Sequence, residues 1–166
     1  MTEDIKFNQN KTSVKFNGVE HPLSFGERFS PNTEYTIAAY SFTDEKGKES
    51  DGCVFEIEPR GSTRVMMITS KELSCQRLAI KGDGWFLGVN PEGEVVHYRL
   101  DSKKEENPQL ELHEGWVDCW IAGDEGMEVA DVSTPSFKPD MEREIKLDSS
   151  ELPLGFWKQY KKLKHL

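Results

Sequence analysis

Short apolar runs separated by polar turns recur along the central part of the chain, at intervals of roughly 8–12 residues. The runs are rich in β-branched and aromatic residues, which favour strands over helices. This pattern predicts an all-β sandwich or barrel. The predicted strands are Tyr35–Phe42, Cys53–Ile57, Arg64–Thr69, Cys75–Ile80, Trp85–Val89, Glu94–Leu100, Trp116–Ile121 and Met127–Val132.

Turn residues divide these strands. The tetrapeptide Asn90-Pro91-Glu92-Gly93 has a typical turn composition, because proline fixes φ and glycine accepts a positive φ. It predicts a β-hairpin over 85–100. Two further glycine-rich stretches, 82–84 and 123–126, are also predicted to be turns between separate strands.

The two ends of the chain differ from the centre. Residues 1–34 are polar and irregular and are predicted to be an extension that wraps the barrel formed by residues 35–147. Residues 148–166 are predicted to be a helical tail. Phe156, Tyr160 and Leu163 lie there at helical spacing, and lysines follow toward the C-terminus.

Composition narrows the class of protein. The net charge of −9 disfavours nucleic-acid binding, because an acidic surface repels phosphates. Nine Phe, four Trp and four Tyr indicate a folded chain, since disordered chains are poor in aromatic residues. No apolar stretch is long enough for a membrane helix, and the first residues lack a signal-peptide core. We therefore expect a cytoplasmic protein with no membrane partner.

The three cysteines are widely spaced and match no zinc motif together with the four histidines. An odd, sparse set of cysteines is typical of a reducing compartment, where thiols serve as small core residues.

Two stretches resemble the cupin superfamily, in particular its sugar-nucleotide-epimerase-like and phosphomannose-isomerase-like members. IKGDGWFLGVNPEGEVVHYRL (80–100) resembles the centre of a cupin, where a glycine turn precedes a hairpin. LHEGWVDCWIAGDEGMEVADVSTPSFKPDMEREI (112–145) resembles the second cupin motif, which leaves its strand through Val-Ser-Thr-Pro-x-Phe. The resemblance implies an antiparallel jelly-roll β-barrel, here followed by a short C-terminal helix, whose open mouth holds the site.

The family usually holds a metal ion with three histidines and a glutamate, but this chain departs from that pattern. Aligning Gly115 places Asp118 at the last histidine position. Counting from Gly61 or from Gly82 gives two alignments of the first motif, and neither places a histidine at a ligand position. The residues at those positions are Met67 and Thr69, or Ile68 and Ser70 with Cys75 at the glutamate. Such side chains form a poor hard-metal site, so we expect a metal-free barrel without a cofactor.

Strand alternation then predicts which side chains face the interior. If Asp118 faces inward, so do Trp116 and Trp120, and if Cys75 does, so does Arg77. The hairpin strand leaves two choices, either Val95, His97 and Arg99 or Val96, Tyr98 and Leu100. The first choice gathers Arg77, His97 and Asp118 beside two indoles.

Three functional classes follow. The first is a ligand-binding barrel for a carbohydrate or sugar-derived acid, with Cys75, Arg77, Trp116 and Trp120 as binding residues, since indoles stack on sugar rings and arginine binds anions. The second is a metal-independent sugar isomerase, epimerase or lyase in which His97 or Asp118 moves a proton. The third is a structural or interaction barrel filled by its own side chains, in which Arg77 and Asp118 simply pair with each other. Exposed edge strands also favour a homodimer.

Overall fold

The computed structural model describes residues 5–8, 10–43, 46–134 and 139–165. These residues form twelve strands, one 3₁₀ helix (Pro139–Met141) and one α-helix, α1 (Leu154–Lys164). In chain order the strands are β1 (Ile5–Phe7), β2 (Ser13–Phe16), β3 (Val19–Pro22), β4 (Ser24–Asn32), β5 (Tyr35–Thr43), β6 (Glu49–Ile57), β7 (Met66–Ile68), β8 (Ser74–Val89), β9 (Val95–Asp101), β10 (Gln109–His113), β11 (Val117–Thr134) and β12 (Glu142–Glu144).

Strands β8 and β11 form the frame of the fold. They pair antiparallel over nearly their whole length and are shared by two half-sheets. The first half-sheet has the strand order β10-β8-β11-β6-β5-β4. In the second, β9 pairs with the other end of β8, while β7 pairs with β11 and with β12. The two half-sheets face each other in the jelly-roll barrel expected from the sequence.

The glycine-rich stretches predicted as turns are instead bends within these two long strands, so those two predictions are wrong. Gly82 has φ +71° and Gly126 has φ +86°. A Cβ on Gly82 would collide with the carbonyl oxygen of Gly126, so the strands approach too closely at this point for a side chain. The pairing register shifts between Ala122 and Met127, where both strands bend. The predicted hairpin over 85–100 is confirmed by the pairing of Val89 with Val95.

Both faces of the barrel wall are buried, which explains the nearly continuous apolar runs of β8 and β11. Inside, Phe86, Trp120 and Val129 belong to the core between the half-sheets. Outside, α1 covers the second half-sheet, and the separate sheet β1-β2-β3 packs with Leu78 and Val132 on the first. Strand β4 belongs to the large sheet although its residues fall within the predicted N-terminal extension.

The C-terminal helix is confirmed at Leu154–Lys164, with the predicted residues Phe156, Tyr160 and Leu163 buried against the barrel. The Tyr160 hydroxyl lies 2.8 Å from the hydroxyl of Ser62, which fixes the helix to the loop before β7. Within the described part of the chain, no helix combines the length and apolar character needed to cross a bilayer.

Candidate functional site

A cavity of about 500 Å³ lies against the inner face of the barrel. Its walls are largely aromatic and aliphatic, and charged side chains meet on one side of it. Phe29, Asp51 and Arg64 are exposed and mark the side that opens to solvent. Its lining also includes Tyr35, Cys53, Phe55, Arg77, Asp118, Trp120, Asp131 and Glu142.

Arg77 is the centre of the charged group. Its Nη1 lies 3.0 Å from Asp118 Oδ2, its Nε 3.1 Å from Asp131 Oδ1, and its Nη2 3.1 Å from Glu142 Oε1. Its guanidinium carbon also lies 5.2 Å from the centre of the Phe55 ring, a cation–π distance. All three sides of the guanidinium are therefore engaged by the protein itself.

Strand register explains why these groups meet. Arg77 on β8 and Asp131 on β11 are directly opposite partners in the ladder, so their side chains share one face. Asp118 lies at the other end of β11, beyond the bend, and approaches from the second half-sheet. Glu142 comes from β12, which joins that half-sheet through β7. One arginine thus links the two halves of the barrel from inside.

The cluster carries more negative than positive charge. One guanidinium faces three carboxylates, a formal charge of −2 when all are ionised. Burial raises the pKa of Glu142 to about 7, although the Arg77 cation acts in the opposite direction. Burial likewise raises the pKa of Asp118. Burial alone would lower the pKa of Arg77, but Asp118 and Asp131 raise it well above its usual value, so Arg77 stays charged.

Two buried polar atoms beside the cavity lack a hydrogen bond to any described residue. Trp120 is 1% exposed, yet no described residue supplies an acceptor for its Nε1–H. Asp118 Oδ2 is in ionic contact with Arg77 but is not aligned for a hydrogen bond. An unpaired buried polar group typically costs about 1–3 kcal/mol, so both atoms are expected to find partners in a bound molecule or in water.

The two thiols near the cluster are poor nucleophiles. Burial and the nearby Asp131 carboxylate raise the pKa of Cys53 well above its usual value. The same two causes raise the pKa of Cys75 to about 12. Cys53 Sγ lies 3.9 Å from Asp131 Oδ2, and Cys75 Sγ lies 3.6 Å from Ser133 Oγ. Both thiols are neutral at physiological pH, and Cys75 belongs to the inner core rather than to the cavity wall.

Of the residues singled out from the sequence, Arg77, Asp118 and Trp120 come together in the cavity wall. Strand alternation placed them correctly, and the predicted Arg77–Asp118 contact is present. Trp116 packs on the inner core, 6.1 Å from the Phe86 ring centre, without lining the cavity. The site therefore has one indole rather than two.

The position of His97 shows that the set containing Val95, His97 and Arg99 does not face the interior. Phe86, an inner-core residue, pairs with Tyr98 and stacks on it, while Val96 and Leu100 also pack inward. His97 lies on the outer face, exposed, with its ring 5.6 Å from that of Trp85. It cannot reach Arg77 or Asp118 across the strand. The predicted cluster of Arg77, His97 and Asp118 is therefore wrong.

Asp131 and Glu142 are site residues that the sequence interpretation missed. Asp131 is a single acidic residue within an otherwise apolar run, Val129–Val132, and that isolation is a usable signal. Its position opposite Arg77 depends on the register shift in β11, which the sequence does not reveal. Glu142 lies in a charged segment with no pattern that separates it from its neighbours.

The donor set does not fit the metal ion that the cupin resemblance implies. Each carboxylate directs an oxygen at Arg77, whose guanidinium lies where their charges converge. Among the described residues, no group of three histidine, cysteine or acidic side chains is arranged to hold a metal ion. The metal-free state itself stays a prediction.

Comparison with known proteins was informative at the level of structure only. No family model and no curated protein matches the sequence significantly. The capsular polysaccharide assembling protein CapF from Staphylococcus aureus matches with a TM-score of 0.55 at 13% identity, covering 75% of this chain and 34% of CapF. The chain thus spans about a third of CapF.

Two smaller proteins match over most of their length. A dTDP-4-dehydrorhamnose 3,5-epimerase from Elizabethkingia anophelis has a TM-score of 0.52 at 12% identity, covering 81% of this chain and 86% of the epimerase. Streptomyces PAC13, solved with uridine, has a TM-score of 0.50 at 16% identity, covering 72% of this chain and 84% of PAC13. These neighbours are cupin-type proteins.

The chain has a cupin fold. Within this cupin barrel, the Arg77 cluster and the cavity occupy the interior between the half-sheets. Residues 135–138, which complete the Val-Ser-Thr-Pro-x-Phe part of the resemblance, lie outside the described residues.

Proposed function

We propose that this cupin barrel is a metal-free binding protein for a carbohydrate-type ligand, held in the cavity beside Trp120 and Asp118. The observation that carries the proposal is the cavity of about 500 Å³, in which aromatic walls meet buried polar atoms that have no hydrogen bond to the described residues. A sugar ring satisfies both features, because its C–H faces pack on aromatic rings while its hydroxyls donate and accept hydrogen bonds.

The charge of the cluster bears on the kind of carbohydrate. Each guanidinium nitrogen of Arg77 already contacts a carboxylate, so an anion that approached it would meet three negative charges. Arg64, at the open side, already contacts Glu144 Oε1 at 3.0 Å and donates from Nε to the Tyr35 hydroxyl at 3.2 Å. A sugar acid would add negative charge to an acidic cavity. Of the two ligand classes expected from the sequence, a carbohydrate or a sugar-derived acid, we therefore favour a carbohydrate without an acidic group.

The neighbours support a sugar-related ligand by fold analogy alone. One neighbour is an epimerase named for a nucleotide-linked sugar, and another was solved with uridine. A panel for this chain should therefore include free hexoses and deoxyhexoses, together with nucleotide-linked sugars, whose acidic phosphates should weaken binding.

The test is the melting temperature of the purified protein with each member of that panel. A ligand that binds only the folded state raises the melting temperature. Trp120→Phe, which removes the N–H that has no acceptor among the described residues but keeps an aromatic ring, should reduce the shift. Trp157→Phe on the exposed side of α1 serves as the matched control and should leave the shift unchanged. If no member of the panel raises the melting temperature, the ligand-free structural barrel becomes the better interpretation.

A second candidate function is a metal-independent isomerase, epimerase or lyase. Asp118 favours it, because this carboxyl group lines the cavity and burial raises its pKa, as proton transfer near neutral pH requires. The measurement is deuterium exchange into a bound sugar, followed by NMR. Exchange that persists in His97→Ala but is lost in Asp118→Asn would assign the proton transfer to Asp118. If the exchange is instead lost in His97→Ala, the proton transfer takes place at His97 on the outer face.

The homodimer stays a prediction. Strand β4 ends the strand order of the first half-sheet, and Phe25 and Phe29 on it are 39% and 56% exposed. Such an edge favours pairing with another strand. Sedimentation velocity over a range of protein concentrations decides between monomer and dimer.

A further inference from the structure

The buried charges of the cavity also indicate the charge of its ligand. Resting on the binding function proposed above, we propose that the ligand carries an ammonium group next to a hydroxyl or carbonyl oxygen. The ammonium group would bind beside the Asp118, Asp131 and Glu142 carboxylates. An amino sugar belongs to this chemical class.

The buried charges around Arg77 do not balance. The side chains of Arg77, Asp118, Asp131 and Glu142 are only 3%, 4%, 6% and 9% exposed. When the carboxylates are ionised, water therefore screens little of the excess negative charge around the single guanidinium. A cation placed in the cavity reduces that excess, whereas a neutral ligand leaves it in place and an anion increases it.

The buried indole N–H of Trp120 is an observation that does not depend on the carboxylates. Trp120 lies on the same cavity wall, is 1% exposed, and its Nε1–H has no acceptor among the described residues. The indole N–H is a donor only, so its partner must be an acceptor. Trp120 and Asp118 are two residues apart on β11 and face the same side, so one ligand can present an oxygen to the indole and an ammonium to the carboxylate.

The aromatic side chains that line the cavity also favour a cation. Phe55 already stacks against one cation, the Arg77 guanidinium. Tyr35 and Trp120 also line the cavity, and the faces of aromatic rings attract cations. The cavity therefore combines carboxylates with aromatic side chains, a combination that favours an organic ammonium group over a neutral one.

A metal ion fits the same charge less well. The oxygens that face the centre of the cluster lie 3.0–3.1 Å from Arg77 nitrogens, and the guanidinium separates them from one another. A metal ion needs several oxygens converging on one point. An ammonium group needs only one or two acceptors and leaves Arg77 in place.

The experiment compares three small molecules that share one hydroxymethyl group and differ in the other end: ethanolamine, ethylene glycol and glycolate. The melting temperature of the full chain is measured with each at equal concentration and ionic strength. We expect ethanolamine to raise it by at least 2 °C more than ethylene glycol, and glycolate to give no rise. An equal effect of ethanolamine and ethylene glycol, or a larger effect of glycolate, overturns the inference.

Substitutions show where ethanolamine binds when it raises the melting temperature. Asp118→Asn should remove the ethanolamine shift, while Asp124→Asn, whose carboxylate is 89% exposed, should keep it. Trp120→Phe should weaken the shift and provides a second test if Asp118→Asn does not fold. A shift retained in both cavity variants would place the ammonium group elsewhere and overturn the inference.

A second set of ligands separates this inference from the proposed function. Glucose, 6-amino-6-deoxyglucose and glucuronic acid differ only at C6, and their affinities are measured by calorimetry. At least tenfold tighter binding of the amino sugar supports the inference. Equal binding of glucose and the amino sugar overturns the inference and leaves carbohydrate binding standing. A shift with ethanolamine and no binding of any carbohydrate, in this set or in the larger panel, supports the inference and contradicts the carbohydrate proposal.

Discussion

The inner and outer faces of the long strands are both buried, but they are covered by different chemistry. On β11, Val117 and Cys119 point outward into an apolar cluster beneath α1, while Asp118 between them points inward to Arg77. The outer cluster buries Phe156 and Leu163 among other apolar side chains. The inner face buries four charged groups beside an open cavity. The outer face is thus covered by apolar packing alone, whereas the inner face also holds buried charges that are costly unless they are paired.

The largest loss of stability is expected for a substitution on the outer face. Phe156 is 0% exposed, so Phe156→Ala removes a fully buried ring and should lower the free energy of unfolding by about 4 kcal/mol. Urea denaturation measures this loss. Trp157→Ala, at a neighbouring position that is 41% exposed, should cost less than about 1 kcal/mol. Equal losses in the two variants would mean that α1 does not pack as described.

On the inner face, Arg77→Met leaves three buried carboxylates without their cation. We expect a loss of about 3 kcal/mol at pH 8, because uncompensated buried charge is strongly destabilising. The loss should shrink at pH 5, where Glu142, whose pKa burial raises to about 7, is protonated. Arg99→Met is the control, since that side chain is 44% exposed and its guanidinium carbon lies 5.7 Å from the Trp85 ring centre. It should cost less than about 1 kcal/mol at either pH.

The wild-type protein should itself lose stability as the pH rises. Glu142 has a pKa of about 7 in the folded state and an ordinary value of 4.5. The folded protein therefore binds more protons than the unfolded chain between these values, and the free energy of unfolding falls as the pH increases through that window. The change attributable to Glu142 is at most about 3 kcal/mol.

Glu142→Gln should remove much of this pH dependence, because an amide oxygen can still accept from Arg77 without ionising. Glu144→Gln, on the same strand but 41% exposed, should leave it unchanged. Denaturation midpoints at pH 5.5 and pH 8 provide the measurement. A Glu142→Gln variant with the full wild-type pH dependence would show that Glu142 does not titrate in this window.

The smallest effect on stability is expected at Trp120. Trp120→Phe loses some buried apolar surface but also removes a donor that has no partner among the described residues, so the net cost should be about 1 kcal/mol or less without ligand. Thermal unfolding checks this value. A cost above about 3 kcal/mol would indicate that the indole N–H is satisfied within the protein.

Strand alternation predicted more of this site than motif matching did. It placed Arg77, Asp118 and Trp120 on the inner face, because each lies within a strand segment that does not change register. It failed for His97 because the inward set was chosen for the cluster it would form with Arg77 and Asp118, although Val96, Tyr98 and Leu100 form the more apolar face. The stacking of Phe86 on Tyr98 shows which face of β9 points inward, and the sequence does not specify that contact.

The overall fold was predictable as all-β, but its long strands were not. Glycine-rich stretches usually mark turns, and here Gly82 and Gly126 instead allow two continuous strands to bend past each other. Asp131 and Glu142 were missed for a related reason. Their approach to Arg77 depends on the register that this bend creates and on the short pairing of β12 with β7.

The sharing of β8 and β11 between the half-sheets has a consequence for how the molecule comes apart. Neither half can lose its central strands without removing them from the other half as well. The barrel should therefore melt in one cooperative transition, with the slowest amide hydrogen exchange along Leu78–Ile80 and Val129–Val132. A molecule seated between the halves would then protect both of them equally.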